Sequence, residues 1–229
     1  MDVRNRLALA LDVDDLDRAE QLAKEVAPWF GVAKVGLELY AAAGPDAIAR
    51  MRALDLEVFA DIKLHDIPTT VGRAARVYGR LGVSYLNFHA AGGVEMLRAG
   101  VAGLAEGARD AGHAPAKPIA VTVLTSDPDA TAFEERLERA VDAGCAGVVC
   151  SVEEIERVHA HRPDFVTIVP GVRFADGARH DQARVGTPER VARAGGDLLV
   201  VGRAVTRADD PRAAAQRVSD AIVSVLTTG

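Results

Sequence analysis

Short apolar runs alternate along this chain with longer stretches of helical periodicity. The runs are Leu7–Asp12, Val32–Gly36, Glu57–Lys63, Tyr85–His89, Ile119–Thr125, Gly147–Ser151, Val166–Pro170 and Leu198–Gly202. Most are nearly unbroken, the pattern of parallel strands covered on both faces. The stretches between them carry helix signals. Thr187-Pro188 and Asp210-Pro211 each set a capping side chain before a proline at the first helical position. Ser151 with Glu154 fits a capping box, and a helix is predicted to begin near Thr131. Val218, Ile222 and Val225 fall on one face of the last helix.

Eight strand–helix alternations in 229 residues predict an α/β fold, a (β/α)8 TIM barrel with residues 1–229 as a single domain. No Gly/Ser linker or low-complexity tract divides the chain. A doubly wound open sheet is the other arrangement of such units. It calls for a glycine turn after the first strand, where this chain has Asp12-Val13-Asp14-Asp15. In the first strand Leu7, Leu9 and Leu11 share the face expected to meet the helices. Ala8, Ala10 and Asp12 share the inward face, with Asp12 at the C-terminal rim where barrel enzymes keep their active sites.

Charge narrows the function. The chain has 33 acidic and 27 basic residues, for a net charge of −6, which disfavours nucleic acid as a partner while leaving room for a local phosphate pocket. No apolar run is long enough for a membrane span, and the N-terminus lacks a signal-peptide layout. Cys145 and Cys150 form no CxxC pair and, on one strand, would face opposite sides. A reducing, cytoplasmic setting is expected.

The most informative segment is Asp61-Ile62-Lys63-Leu64-His65-Asp66-Ile67-Pro68. Asp61 and Lys63, two apart, point the same way on a strand; Asp66 follows on the loop leaving the rim, and Pro68 suits a helix start. Lys34 is likewise a lone charge in an apolar strand. The barrel brings neighbouring strand ends together, so Lys34, Asp61 and Lys63 should converge beside Asp12, their alternating signs keeping each group ionised. A structural ion-pair network is the bland reading; three such charges at rim-facing positions favour catalysis.

Late in the chain, Pro170-Gly171-Val172-Arg173 and Gly202-Arg203 follow the seventh and eighth strands, the usual phosphate site of a barrel. Gln182, in the long polar loop after Arg173, adds a neutral donor. A surface arginine after a glycine turn is the alternative. Thr125 and Ser126 are placed to meet a ligand's polar edge, or else to cap a helix. His89 reads as a buried, hydrogen-bonded residue, and His65 is given no proton-transfer role. His159 and His161 read as solvated, with no carboxylate or cysteine partners at metal-ligand spacing.

Taken together, these segments resemble the orotidine 5′-monophosphate decarboxylase family. The match rests on Ala10-Leu11-Asp12, Lys34-Val35-Gly36, the Asp61–Pro68 segment, Asn87-Phe88-His89-Ala90, Val123-Leu124-Thr125-Ser126, Pro170–Arg173, Asp181-Gln182 and Gly202-Arg203, in the family's order. Asp-x-Lys-x-x-Asp alone is shared with sugar-phosphate decarboxylases. The resemblance implies conversion of orotidine 5′-monophosphate to uridine 5′-monophosphate and carbon dioxide, the last step of pyrimidine nucleotide synthesis, with no metal and no organic cofactor. It implies a homodimer in which Asp66, Ile67 and Thr70 enter the partner's site. It implies Lys63 as the acid toward C6, Asp61 against the departing carboxylate, and Lys34 with the partner's Asp66 completing the array. Asp12 and Lys34 would hold ribose hydroxyls, Thr125 or Ser126 the pyrimidine, and Arg173, Gln182, Gly202 and Arg203 the phosphate. The stretch after Ser126 is shorter than in some members, so which residue meets the pyrimidine stays open. A metal-dependent sugar-phosphate decarboxylase or aldolase, and a silent nucleotide-binding barrel, are the competing readings.

Overall fold

The structure, a computed structural model, describes residues 3–123, 131–174 and 186–228. The first half runs β1 (Leu7–Ala10), α1 (Leu16–Val26), β2 (Val32–Gly36), α2 (Leu37–Ala43), α3 (Pro45–Arg52), β3 (Glu57–Leu64), α4 (Pro68–Arg80) and β4 (Tyr85–His89). The second runs α5 (Val94–Asp110), β5 (Lys117–Val121), α6 (Phe133–Asp142), β6 (Gly147–Val149), α7 (Ile155–His161), β7 (Val166–Val169), α8 (Pro188–Arg193), β8 (Leu198–Val201), α9 (Arg203–Thr206) and α10 (Pro211–Thr228). The eight strands pair in parallel, in chain order, and β8 returns to β1. This is the (β/α)8 barrel that the alternation predicts.

Side-chain parity divides the apolar residues into two layers. Leu7, Leu9 and Leu11 join the large cluster between sheet and helices, while Ala8 and Ala10 fill the barrel with Val32, Phe59, Tyr85, Ile119, Ile168, Leu198 and Val200. One inward position beyond Val32, Phe59 and Tyr85 lie Lys34, Asp61 and Asn87. The apolar plug therefore ends where the polar rim begins.

Three expectations need correction. The capping box is half formed: the Ser151 backbone N–H donates to Glu154 Oε2 at 2.7 Å, but α7 starts later, with Glu154 at its N-cap. Cys145 and Cys150 do not face opposite sides; both are buried in the sheet–helix layer. The strand is only Gly147–Val149, so Cys145 lies in the preceding turn and parity does not reach it. β5 begins at Lys117, earlier than the apolar run, because Lys117 and Pro118 already pair with Tyr85 and Leu86. The caps at Thr187 and Asp210 form as expected.

α4 and α5 pack with their backbones in contact. A methyl at Gly103 would overlap the Gly72 carbonyl, and one at Gly107 the Arg76 carbonyl. This seam sets the height of α4, whose first turn follows Asp66. In an exposed helix Gly→Ala stabilises by up to about 1 kcal/mol. Here Gly107→Ala is expected to destabilise, by about 1–3 kcal/mol from overpacking. Urea denaturation gives the sign, and a raised midpoint would refute the seam.

Candidate active site

Strands β1, β2 and β3 deliver the charged groups to one point on the rim. Lys34 Nζ donates to Asp12 Oδ1 at 2.9 Å and lies 3.3 Å from Asp61 Oδ2. Lys63 Nζ donates to Asp61 Oδ1 at 2.6 Å. The result is a chain Asp12–Lys34–Asp61–Lys63, opposite charges in contact throughout. Gly36 makes room for it, since a methyl there would sit 3.0 Å from Lys34 Nζ and 3.3 Å from Asp12 Oδ1.

The pairing governs ionisation. Burial alone would push the Lys34 ammonium toward neutrality, but Asp61 and Asp12 together hold its pKa above the ordinary lysine value. Burial likewise acts to raise Asp61, and it is outweighed by Lys34 and Lys63, helped by hydrogen bonds from Lys63 and Asn87; the pKa of Asp61 ends below the ordinary aspartate value. Both groups are therefore charged at neutral pH.

Lys63 reaches Asp61 by an irregular route. The register between β3 and β4 shifts between Ala60 and Leu64, and Lys63 has φ 54°. Simple alternation placed the two side chains together, but the contact is made through a bulge, of a kind common beside active sites. Asp66 is exposed on the loop before α4, where its Oδ1 accepts from the Ile67 N–H at 2.6 Å. Among the described residues, no ion pair ties it to the lysines of its own chain. Ile67 and Thr70 are exposed beside it.

The late segments meet this rim from the other side of β1. Val172 N–H donates to the Val200 carbonyl, and Arg173 N–H to that of Gly186, so Gly171–Arg173 lies along the end of β8. Gly171 has φ 71°. Gly202 opens α9, with its Cβ position 3.4 Å from Ala10 Cβ and 3.9 Å from Asp12 Oδ2. Gly202 and Arg203 therefore adjoin the Asp12 end of the array. Thr125, Ser126 and Gln182 lie outside the described residues.

A family model described as orotidine 5′-phosphate decarboxylase / HUMPS family matches residues 5–218. The chain belongs to that family. An orotidine 5′-phosphate decarboxylase of Moorella thermoacetica is 44% identical, covering 98% of this chain and 95% of its own length. One from Anaeromyxobacter sp. (strain K) is 46% identical over 93% of this chain and 96% of its own. The crystal structure of orotidine 5′-phosphate decarboxylase from Lactobacillus acidophilus aligns with a TM-score of 0.79 at 31% identity, covering 95% of this chain and 99% of that one.

In this member of the orotidine 5′-phosphate decarboxylase / HUMPS family, two residues stand at the site without having been given a role from sequence. Gly36 is one. Asn87 is the other, fully buried on β4 and bonded to both Asp61 and the Lys63 backbone. The signal for Asn87 was available: it is a lone amide with the inward parity of Lys34 and Asp61, on the next strand round. Two histidines, His89 and His159, differ from expectation, while His161 is exposed as read. Among the described residues His89 Nδ1 is buried without a hydrogen-bond partner, and its ring packs on His65 with centroids 5.5 Å apart. Burial, then His65, Arg136 and Lys63, keep its pKa below the usual histidine value. His159 is not free in solvent, since its Nε2 lies 3.7 Å from Asp197 Oδ2. Among the described residues, no cluster of three or more His, Cys, Asp or Glu is arranged to hold a metal ion, and no helix is long and apolar enough to cross a membrane.

Proposed function

We propose that this chain decarboxylates orotidine 5′-monophosphate to uridine 5′-monophosphate and carbon dioxide, completing pyrimidine nucleotide synthesis. The observation that carries the reading is the Lys34–Asp61–Lys63 chain, a carboxylate held between two ammonium groups at the barrel rim. A binding module has no use for charges so costly to bury.

Loss of carbon dioxide leaves an electron pair on C6 of the pyrimidine, with no good ring position to delocalise it. The protein must set positive charge where that pair forms. Lys63 supplies it and then transfers a proton from Nζ to C6, combining electrostatic stabilisation with general acid catalysis. Asp61 holds Lys63 before substrate binds and faces the substrate carboxylate, whose ground state it raises. Asp12 and Lys34 hold the ribose hydroxyls, and Thr125 or Ser126 the pyrimidine.

Arg173, Gln182, Gly202 and Arg203 take the phosphate, whose binding energy is expressed at the distant reacting carbon. Arg203→Ala is expected to lower kcat/KM about 10²-fold or more, roughly 2.7 kcal/mol of transition-state stabilisation. A loss under threefold counts against the assignment.

The working unit in this reading is a homodimer with Asp66, Ile67 and Thr70 entering the partner's site. Its support is the exposure of Ile67, 65%, on that loop; Leu37 on α2 and Val77 on α4 are also exposed, at 60% and 49%. A large apolar side chain left exposed next to Asp66 suits a self-complementary contact. The two free, buried thiols agree with a cytoplasmic setting.

The direct test is the absorbance change on adding orotidine 5′-monophosphate to purified protein, with and without a chelator. Rapid chelator-insensitive conversion is expected. Activity that a chelator abolishes would favour a metal-dependent sugar-phosphate enzyme, and tight nucleotide binding without turnover a silent barrel.

A further inference from the structure

Asn87 spends both ends of its amide on β3. Its Oδ1 accepts from the Lys63 backbone N–H at 2.7 Å, and its Nδ2 donates to Asp61 Oδ1, also at 2.7 Å. The assignment of the two ends is forced, because an N–H can meet only the oxygen and a carboxylate only the amide nitrogen. The register shift between Ala60 and Leu64 interrupts the β3–β4 ladder around Lys63, and the amide oxygen supplies an acceptor there. Lys63 also has the left-handed φ of 54°, which a non-glycine residue keeps only where its surroundings hold it. Asp61 Oδ1 thus receives two donors, Lys63 Nζ and Asn87 Nδ2, while Oδ2 faces Lys34.

We propose that Asn87 is a positioning residue for the decarboxylation: it pins the Lys63 backbone in its left-handed turn and locks the Asp61 carboxylate, so that the Lys63 ammonium is aimed before substrate arrives. The proposal rests on the functional reading above. Asn87 acts through its neighbours and handles neither the phosphate nor the proton. Without the amide, the backbone at Lys63 relaxes toward an extended strand. Its ammonium, on a side chain already 32% exposed, then swings away from Asp61. The residues assigned to the phosphate follow β7 and β8, which are not neighbours of β3 or β4 in the barrel.

The test separates kcat from KM. Asn87→Leu keeps approximate size and removes both hydrogen bonds. Asn87→Asp keeps an acceptor for the Lys63 N–H but sets a second carboxylate against Asp61. Thr167→Val is the control, a buried residue on β7 whose hydroxyl donates to Asp197 Oδ2. Both Asn87 variants are expected to lose kcat about 10²-fold, the scale of a misplacement near 1 Å. KM for orotidine 5′-monophosphate and affinity for uridine 5′-monophosphate should stay within threefold. Thr167→Val should lower Tm and leave kcat unchanged. The proposal is overturned if a folded Asn87 variant keeps kcat within threefold of the parent, if the loss lies in KM, or if Thr167→Val loses kcat equally. Failure of both Asn87 variants to fold would mark the residue as structural and overturn it too. A parent protein that does not turn over the substrate defeats the functional reading instead.

Discussion

Lys63→Ala is expected to fold and bind nucleotide but to lose turnover by at least about 10⁴-fold, roughly 5.4 kcal/mol of transition-state stabilisation. Two roles vanish together. General acid catalysis is commonly worth about 10²–10⁴-fold, and a preorganised charge at the reacting centre a further 10²–10³-fold. The structure says why the barrel should survive. Asp61 keeps Lys34 at 3.3 Å and Asn87 at 2.7 Å, so the carboxylate is not left buried without partners. The Lys63 backbone N–H keeps its bond to Asn87 Oδ1. Lys34 stays held by Asp12 and Asp61. Single-turnover assay of orotidine 5′-monophosphate, with uridine 5′-monophosphate binding as the control for folding, checks it. A variant within tenfold of the parent would remove Lys63 as the acid.

The barrel and the charged chain were both legible because they rest on alternation. Period-two parity put Ala8 and Ala10 inside, the leucines outside, and Lys34 and Asp61 one inward step above Val32 and Phe59. What parity cannot convey is a break in parity. The bulge in β3 and the left-handed turn at Lys63 leave no mark in Asp61-Ile62-Lys63, because such an irregularity depends on what the neighbouring strand offers, here the Asn87 acceptor for the Lys63 N–H. The role of Gly36 was invisible for a related reason. Its value lies in the space it leaves for Lys34 Nζ and Asp12, and absence of a side chain carries no chemistry of its own. His159 needed the fold as well: its neighbour Asp197 stands before a different strand, 38 residues away in the chain and 3.7 Å away in space.

A mixture of two inactive chains should recover activity. Asp66 stands exposed, its carboxylate turned onto the Ile67 N–H and not onto the lysines of its own chain. If it serves the partner's site, Asp66→Ala and Lys63→Ala damage the two halves of one composite centre. A dimer with one chain of each kind then has one doubly damaged site. Its other site combines the intact Lys63 of one chain with the intact Asp66 of the other and is complete. Random exchange of equal amounts makes half the dimers mixed, so about a quarter of all sites should be restored. Each variant alone should have almost none: the Lys63 variant lacks the acid, and the Asp66 variant lacks the anion that closes the array beside it. Mixing under mild urea, followed by dilution and assay, provides the exchange. Recovery near a quarter requires both a dimer and the crossing of Asp66. A mixture no more active than the mean of its parts would place Asp66 in its own chain's chemistry, and the exposed Ile67 beside it would then need another explanation.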